Sequence, residues 1–206
     1  MIGGKIRISL PIVVEGKYDK NTLLQIFDAT VITVGGFGVF NSKEKQCLLR
    51  KLSENGIIVL TDSDGAGGVI RSFLKGIIPR DKIYNLYIPK VEGKEKRKSK
   101  ASKEGLLGVE GMNRETLLKV FEPFFDNDEI DLRNSRLSGE MITKIDFYTD
   151  KLTGFDNSSV MRDKLAFYFG LPDGMSANAL IEALNIIADR EKYREAVRQI
   201  FYDNGV

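Results

Sequence analysis

The chain of 206 residues contains no histidine and one cysteine, Cys47. Without histidine there is no imidazole general base. With only Cys47 beside it, no Cys/His set can hold zinc and no intramolecular disulfide can form. Long apolar runs are also missing, and none approaches the roughly 20 residues that a membrane-spanning helix needs. The opening residues Met1-Ile2-Gly3-Gly4-Lys5 carry no apolar leader core, so a cytoplasmic protein is expected. What remains is ordinary for a globular chain, 42% hydrophobic and 29% charged, and long enough for one domain with a real core plus a smaller second one.

Charge is scarce overall and concentrated locally. The net charge is +2, yet the stretch from Pro89 to Glu104 holds seven basic residues against three acidic ones: Lys90, Lys94, Lys96, Arg97, Lys98, Lys100 and Lys103 against Glu92, Glu95 and Glu104. It has no apolar periodicity and reads as a loop after a strand. A Lys/Arg run of this kind is either a solvated surface or a polyanion contact that releases counterions from a phosphate backbone.

Through about residue 125 the pattern alternates. Strand-like runs at Ile6–Val14, Ala29–Val34, Gly56–Thr61 and Lys82–Ile88 are separated by helical periodicity at Asp19–Phe27, Ser42–Glu54 and Ala66–Gly76. This βαβαβαβ order predicts an α/β fold with a mostly parallel sheet, helices on both faces, and ligands at the carboxyl ends of the strands. A further helix over Asn113–Phe124 is capped by Asn113.

Two strand ends carry the chemistry. Val13-Val14-Glu15-Gly16-Lys17 and Val59-Leu60-Thr61-Asp62-Ser63-Asp64-Gly65 each pass abruptly from apolar residues to carboxylates and glycine. If the strand continues through Asp62 and Asp64, its period of two points both side chains the same way, and such a pair repels unless a cation lies between them. Oxygen-only ligands suit Mg²⁺, with Asp62 and Asp64 as its expected ligands and Glu15 as a further group. Asp19, just ahead of Lys20-Asn21-Thr22, reads as a helix cap and is left out of the site. Glycines at Gly16 and Gly65 would let backbone approach a phosphate, and Lys17 could neutralise one of its oxygens.

Other motif readings fail. Asp62-Ser63-Asp64-Gly65 opens like a calcium loop, but the position that needs a bidentate Glu is Phe73. Gly35-Gly36-Phe37-Gly38 lacks the last glycine of a dinucleotide fingerprint, and no Walker lysine follows a glycine-rich turn. Those glycines serve a strand-end turn.

A strand ending in Glu-Gly-Lys, followed later by one ending in Asp-x-Asp-Gly, resembles the Toprim domain of primases, topoisomerases, some nucleases and recombination mediators. The order Val14-Glu15-Gly16-Lys17-Tyr18-Asp19, Thr61-Asp62-Ser63-Asp64-x-x-Gly67, Ile88-Pro89-Lys90 with its Lys-rich loop, then Gly108-Val109-Glu110, resembles the ribonuclease M-five family, the maturases of 5S ribosomal RNA precursor. The chain departs from that pattern at Gly111, where the family carries His, and at Ser63, where it carries Pro. The resemblance implies a Mg²⁺-dependent endoribonuclease using one or two ions. Glu15 is then a metal ligand or the acid/base near the leaving oxygen, and Glu110 completes a second metal position. The basic residues from Lys90 to Lys103 would bind structured RNA. Partners implied are the 5S precursor and the ribosomal protein that binds 5S RNA, with no membrane.

The acidic stretch 126–137 is expected to be a linker between a catalytic domain at 1–125 and an all-α region at 138–206. Helices are predicted from Ser138 to about Leu152 with a stop at Gly154, from Ser158 or Ser159 to Phe169 with Gly170 closing, over Ala177–Ala188, and around Glu191–Tyr202. Most phenylalanines from Phe121 to Phe169 are expected in the core. Two other functions compete with RNA hydrolysis. One is a primase-like nucleotidyltransferase, favoured by Asp62-Ser63-Asp64-Gly65-Ala66-Gly67. The other is a non-catalytic RNA-binding or ribosome-assembly module.

Overall fold

Four parallel strands in the order β2-β1-β3-β4 form the centre of the N-terminal unit, as seen in a computed structural model that describes residues 4–62, 65–93, 105–125 and 141–201. The strands are β1 (Ile6–Val14), β2 (Phe27–Thr33), β3 (Ile57–Leu60) and β4 (Ile83–Leu86). The helices between them are α1 (Lys17–Ile26), α2 (Lys43–Leu52) and α3 (Gly65–Ile77), and α4 (Arg114–Phe121) follows. This is the expected α/β class. The predicted βαβαβαβ order holds, with ends shifted by a few residues.

Burial on both faces explains the strand sequences. All four residues of β3 are fully buried, as are Ile12, Val13 and Val14 of β1, and each such side chain contributes roughly 1.5–3 kcal/mol. Val13, Ile57 and Val59 face a cluster with Leu49 of α2 and Ile70 and Leu74 of α3. On the other face Phe27 and Phe121 of α4 lie 4.8 Å apart, and Tyr84 meets Phe124 edge-on at 5.3 Å. Pro11 interrupts β1. Lacking an N–H, it fits a strand only at an irregularity, and the β1–β2 register shifts between Ile8 and Ile12.

The strand order sets where a ligand belongs. β1 pairs with β2 on one side and β3 on the other, with Ile12 opposite Ile58 and Val13 opposite Val59. The connection from β1 runs to β2 and that from β3 runs the opposite way to β4, so the crevice beyond the carboxyl ends of β1 and β3 is the switch point at which parallel α/β sheets bind ligands.

Residues fall into two compact units, 1–128 and 129–206. In the second, four helices are described: α5 (Lys144–Thr149), α6 (Ser158–Tyr168), α7 (Ala177–Ile187) and α8 (Arg190–Phe201). Phe147 stacks on buried Tyr193 at 6.1 Å, and the Tyr193 hydroxyl donates to Asp150 at 2.6 Å. Gly170, at φ +67, closes α6 as expected: Leu171 N–H reaches the Ala166 carbonyl at 2.8 Å and Gly170 N–H that of Phe167 at 3.0 Å.

The helix expected to reach Leu152 is shorter. Thr143 caps α5 in a reciprocal box with Asp146, while Ser138 lies outside the described residues. The same closure as at Gly170 ends it before Gly154, with Leu152 N–H on the Phe147 carbonyl at 2.7 Å and Lys151 in the left-handed region at φ 57. Complete burial of Leu152 offsets the strain of placing Lys151 in that conformation. The core expectation for phenylalanines also needs correction. Phe121, Phe124 and Phe147 are buried, but Phe155 and Phe167 are exposed, Phe167 by 85%.

Candidate active site

Glu15 and Asp62 follow the carboxyl ends of neighbouring strands, β1 and β3. Glu15 follows β1 directly, and its carbonyl accepts the Gly35 N–H at 2.9 Å. Gly35 takes φ +68, the left-handed turn anticipated for this glycine cluster. Asp62 lies two residues past β3. That corrects one expectation: the strand stops at Leu60, so its period of two does not govern the aspartates. Asp64 lies outside the described residues.

Glu110 comes to the same place from far along the chain. After β4, Val91 and Gly93 pair with Leu107 and Gly105 through hydrogen bonds of 2.8 and 2.9 Å, closing the two ends of the basic segment like a hairpin stem. The returning arm then runs Gly108-Val109-Glu110 past Asp62. Val109 N–H donates to Asp62 Oδ1 at 3.0 Å, and Glu110 lies in the single turn Val109–Gly111, which packs on α1. Gly108 makes that approach possible. A Cβ there would sit 2.6 and 2.8 Å from the two carboxylate oxygens of Asp62.

Asp19 belongs to this cluster, contrary to its exclusion above. The cap reading holds in part, since the Asp19 carboxylate accepts the Gly16 N–H at 2.9 Å. Its pKa is raised to about 6: burial raises it most, the Gly16 hydrogen bond lowers it, and the charges of Asp62, Glu110 and Glu15 raise it. Carboxylates from three separate segments therefore act electrostatically on Asp19.

The sign of this shift makes a prediction. A carboxyl whose folded pKa lies above its ordinary value binds a proton in the folded state first, so ionised Asp19 destabilises the fold at neutral pH and that cost disappears as pH falls through 6 toward 4. Asp19→Asn keeps an acceptor for Gly16. Urea unfolding should show it more stable than the parent at pH 7 by about 1–2 kcal/mol after allowing for solvent screening, with the gain shrinking toward zero at pH 4.

Beneath the rim lies a residue the sequence reading passed over. Arg71 of α3 is buried, and its guanidinium donates to the carbonyls of Val59, Thr61 and Leu86 and to Asn85 Oδ1 at 2.7–3.2 Å. Burial lowers its pKa from the ordinary value, opposed by Tyr87 and Asp62. A signal was present: Gly67, Ile70, Arg71 and Leu74 are the buried residues of α3, a helical stripe that includes the arginine.

The remaining candidates divide. Lys17 is exposed at the start of α1, its Nζ 5.0 Å from the Tyr18 ring centroid. Lys90 is exposed just before the hairpin stem. Lys94, Lys96, Arg97, Lys98, Lys100 and Lys103 lie outside the described residues. A Cβ on Gly65 would meet nothing within 4 Å, and one on Gly16 only the Asp19 carboxylate at 3.6 Å, so both glycines border open space.

The donor set fits Mg²⁺. It consists of carboxylate oxygens, and among the described residues no three come close enough to enclose an ion unaided. Mg²⁺ binds in that way, through one or two carboxylates, with waters and substrate phosphate filling the octahedron.

Comparison with known proteins now bears on the site. No family model matches the chain. Ribonuclease M5 of Fusobacterium nucleatum is 33% identical over 168 residues, covering 81% of this chain and 82% of that one. The chain belongs to the ribonuclease M5 family. Ribonuclease M5 of Clostridium botulinum is 30% identical over 190 residues, 92% of this chain and 94% of its own. A small TOPRIM domain protein from Bacillus stearothermophilus is a solved structure with 18% identity and a TM-score of 0.36, covering 55% of this chain and 89% of that one. The ribonuclease M5 matches extend into the helical unit. Among the described residues no helix is long and apolar enough to cross a membrane.

Proposed function

We propose that this ribonuclease M5 family member is a Mg²⁺-dependent endoribonuclease that hydrolyses phosphodiester bonds in structured RNA in the cytoplasm, with 5S ribosomal RNA precursor as its substrate. One observation carries the reading. The Val109 N–H donates to Asp62 and directly precedes Glu110, which supports a reading in which carboxylates after β1, after β3 and after the basic loop serve one site at the switch point of the sheet.

Asp62, Asp64 and Glu110 would hold the cation. When bound, Mg²⁺ supplies positive charge against the phosphate oxygens at the site of displacement. Glu15 moves the proton at the reacting oxygen, a task that falls to a carboxylate in a chain without histidine. Lys17, at the open mouth beside Gly16, neutralises a non-bridging phosphate oxygen. Lys90 and the basic residues from Lys94 to Lys103 track the RNA backbone, which suits recognition of an RNA helix by shape and not by base edges. The helical unit adds grip on the precursor or on the ribosomal protein that binds 5S RNA.

The assay is cleavage of 5S precursor with Mg²⁺. Chelation should abolish cleavage and added Mg²⁺ restore it. Glu15→Gln should lower the single-turnover rate by roughly 10²–10⁴-fold, the range for loss of a positioned acid or base. Cleavage that survives both Glu15→Gln and Asp62→Asn contradicts the proposal. Labelled nucleotide incorporation on single-stranded DNA would favour a nucleotidyltransferase instead.

A further inference from the structure

We propose that Arg71 is a positioning residue for the acidic rim, clamping the strand end from which Asp62 projects. The inference rests on the metal reading of that rim. Arg71 is 7% exposed, and all four of its hydrogen bonds run to neutral oxygens. A buried cation among neutral acceptors is an expensive way to fill space, and an apolar side chain of similar volume usually packs as stably or better.

What the guanidinium provides is geometry. β3 ends at Leu60 and β4 at Leu86, so the carbonyls of Thr61 and Leu86 lie where the ladder stops supplying donors. One guanidinium nitrogen, Nη2, reaches both, at 3.1 and 2.7 Å. The other, Nη1, takes the Val59 carbonyl at 3.2 Å and Asn85 Oδ1 at 3.1 Å. Two adjacent strands are thus tied by one rigid fork immediately before Asp62 on the first and Tyr87 on the second. The Tyr87 ring, 4.1 Å from the guanidinium carbon, fixes the plane of the fork. Lysine keeps the charge but cannot span four acceptors in one plane. Asp62 is therefore set from two sides, by the Arg71 clamp behind its backbone and by Val109 N–H on its carboxylate.

The test reads metal binding and not turnover. Mn²⁺, which shares the octahedral oxygen preference of Mg²⁺, is titrated into the full chain and free ion followed by electron paramagnetic resonance. The proteins compared are the parent, Arg71→Lys, Tyr87→Leu, Asp62→Asn and the Arg71→Lys/Asp62→Asn pair, with circular dichroism reporting the fold. Folded Arg71→Lys should bind about tenfold more weakly than the parent, the low end of the scale for lost outer support of a metal ligand, and Tyr87→Leu, one contact further out, about threefold more weakly. In the Asp62→Asn background Arg71→Lys should cost nothing further. Parent-like affinity in folded Arg71→Lys and Tyr87→Leu overturns the clamp, as does an equal loss with and without Asp62. Unfolding of both variants also overturns it, by making Arg71 a folding element. If the parent and Asp62→Asn bind Mn²⁺ alike, the metal reading itself falls and takes the clamp with it.

Discussion

Asp62→Asn is expected to reduce RNA cleavage by roughly 10³-fold or more while leaving the fold intact, because on the proposed reading it removes a negative charge that would hold the cation, which costs several kcal/mol of transition-state stabilisation. The substitution is nearly isosteric. Its amide oxygen can still accept the Val109 N–H that Asp62 Oδ1 accepts at 3.0 Å, so the arm carrying Glu110 keeps its anchor. Space around the group is tight, since even a Cβ on Gly108 would sit 2.6 and 2.8 Å from its oxygens, and any larger side chain at position 62 would push that arm away. The charge alone is then in question. Single-turnover cleavage across a Mg²⁺ series, with thermal melting as the control for folding, separates the two effects. A rate within a few-fold of the parent would remove Asp62 from the machinery.

The largest effect on stability is expected one turn further on. A Cβ at Gly67 would lie 2.1 Å from the Asp62 carbonyl oxygen and 2.7 Å from Thr61 Oγ1. The nearer atom is backbone and cannot swing aside. Gly67→Ala must therefore pull α3 away from the end of β3, at a cost on the order of 3 kcal/mol, the upper range for overpacking. Its neighbour behaves oppositely. Gly68 is exposed and a Cβ there meets nothing within 4 Å, so Gly68→Ala gains roughly 0.5–1 kcal/mol from helix propensity. Thermal melts of the two variants should move in opposite directions, Gly67→Ala down by about 10 °C for a unit of this size. Cleavage should fall with Gly67→Ala even well below its melting temperature, since the displaced backbone is that of Asp62. The glycine in Asp-x-Asp-x-x-Gly is thus explained by contact with the first aspartate's own carbonyl.

These residues also mark how far the sequence could be read. The four strands were legible because burial on both faces demands unbroken apolar runs such as Ile57–Leu60. Glu15 and Asp62 were legible because each interrupts such a run at its carboxyl end. Asp19 was not. As a string it is a helix-start residue, and its local bond to Gly16 agrees. What sets it apart is burial first, and then the charges of Asp62 and Glu110, both of which only the tertiary fold supplies. Arg71 was hidden by a different rule, that a charge on an amphipathic helix faces water. Here the strand-end carbonyls make a buried polar pocket that no one-dimensional pattern reveals. The end of α5 was missed because Gly154 advertised a stop, whereas burial of Leu152 beside Phe147 imposed one earlier.

The central claim is that Glu15, Asp62 and Glu110 form one cation-binding rim that acts on RNA. Anomalous diffraction from crystals soaked in Mn²⁺ tests it most directly. The account predicts a peak on the Asp62 and Glu110 carboxylates, with Glu15 facing it and the peak absent in Asp62→Asn crystals. A peak elsewhere, or one that persists without the Asp62 charge, would contradict it.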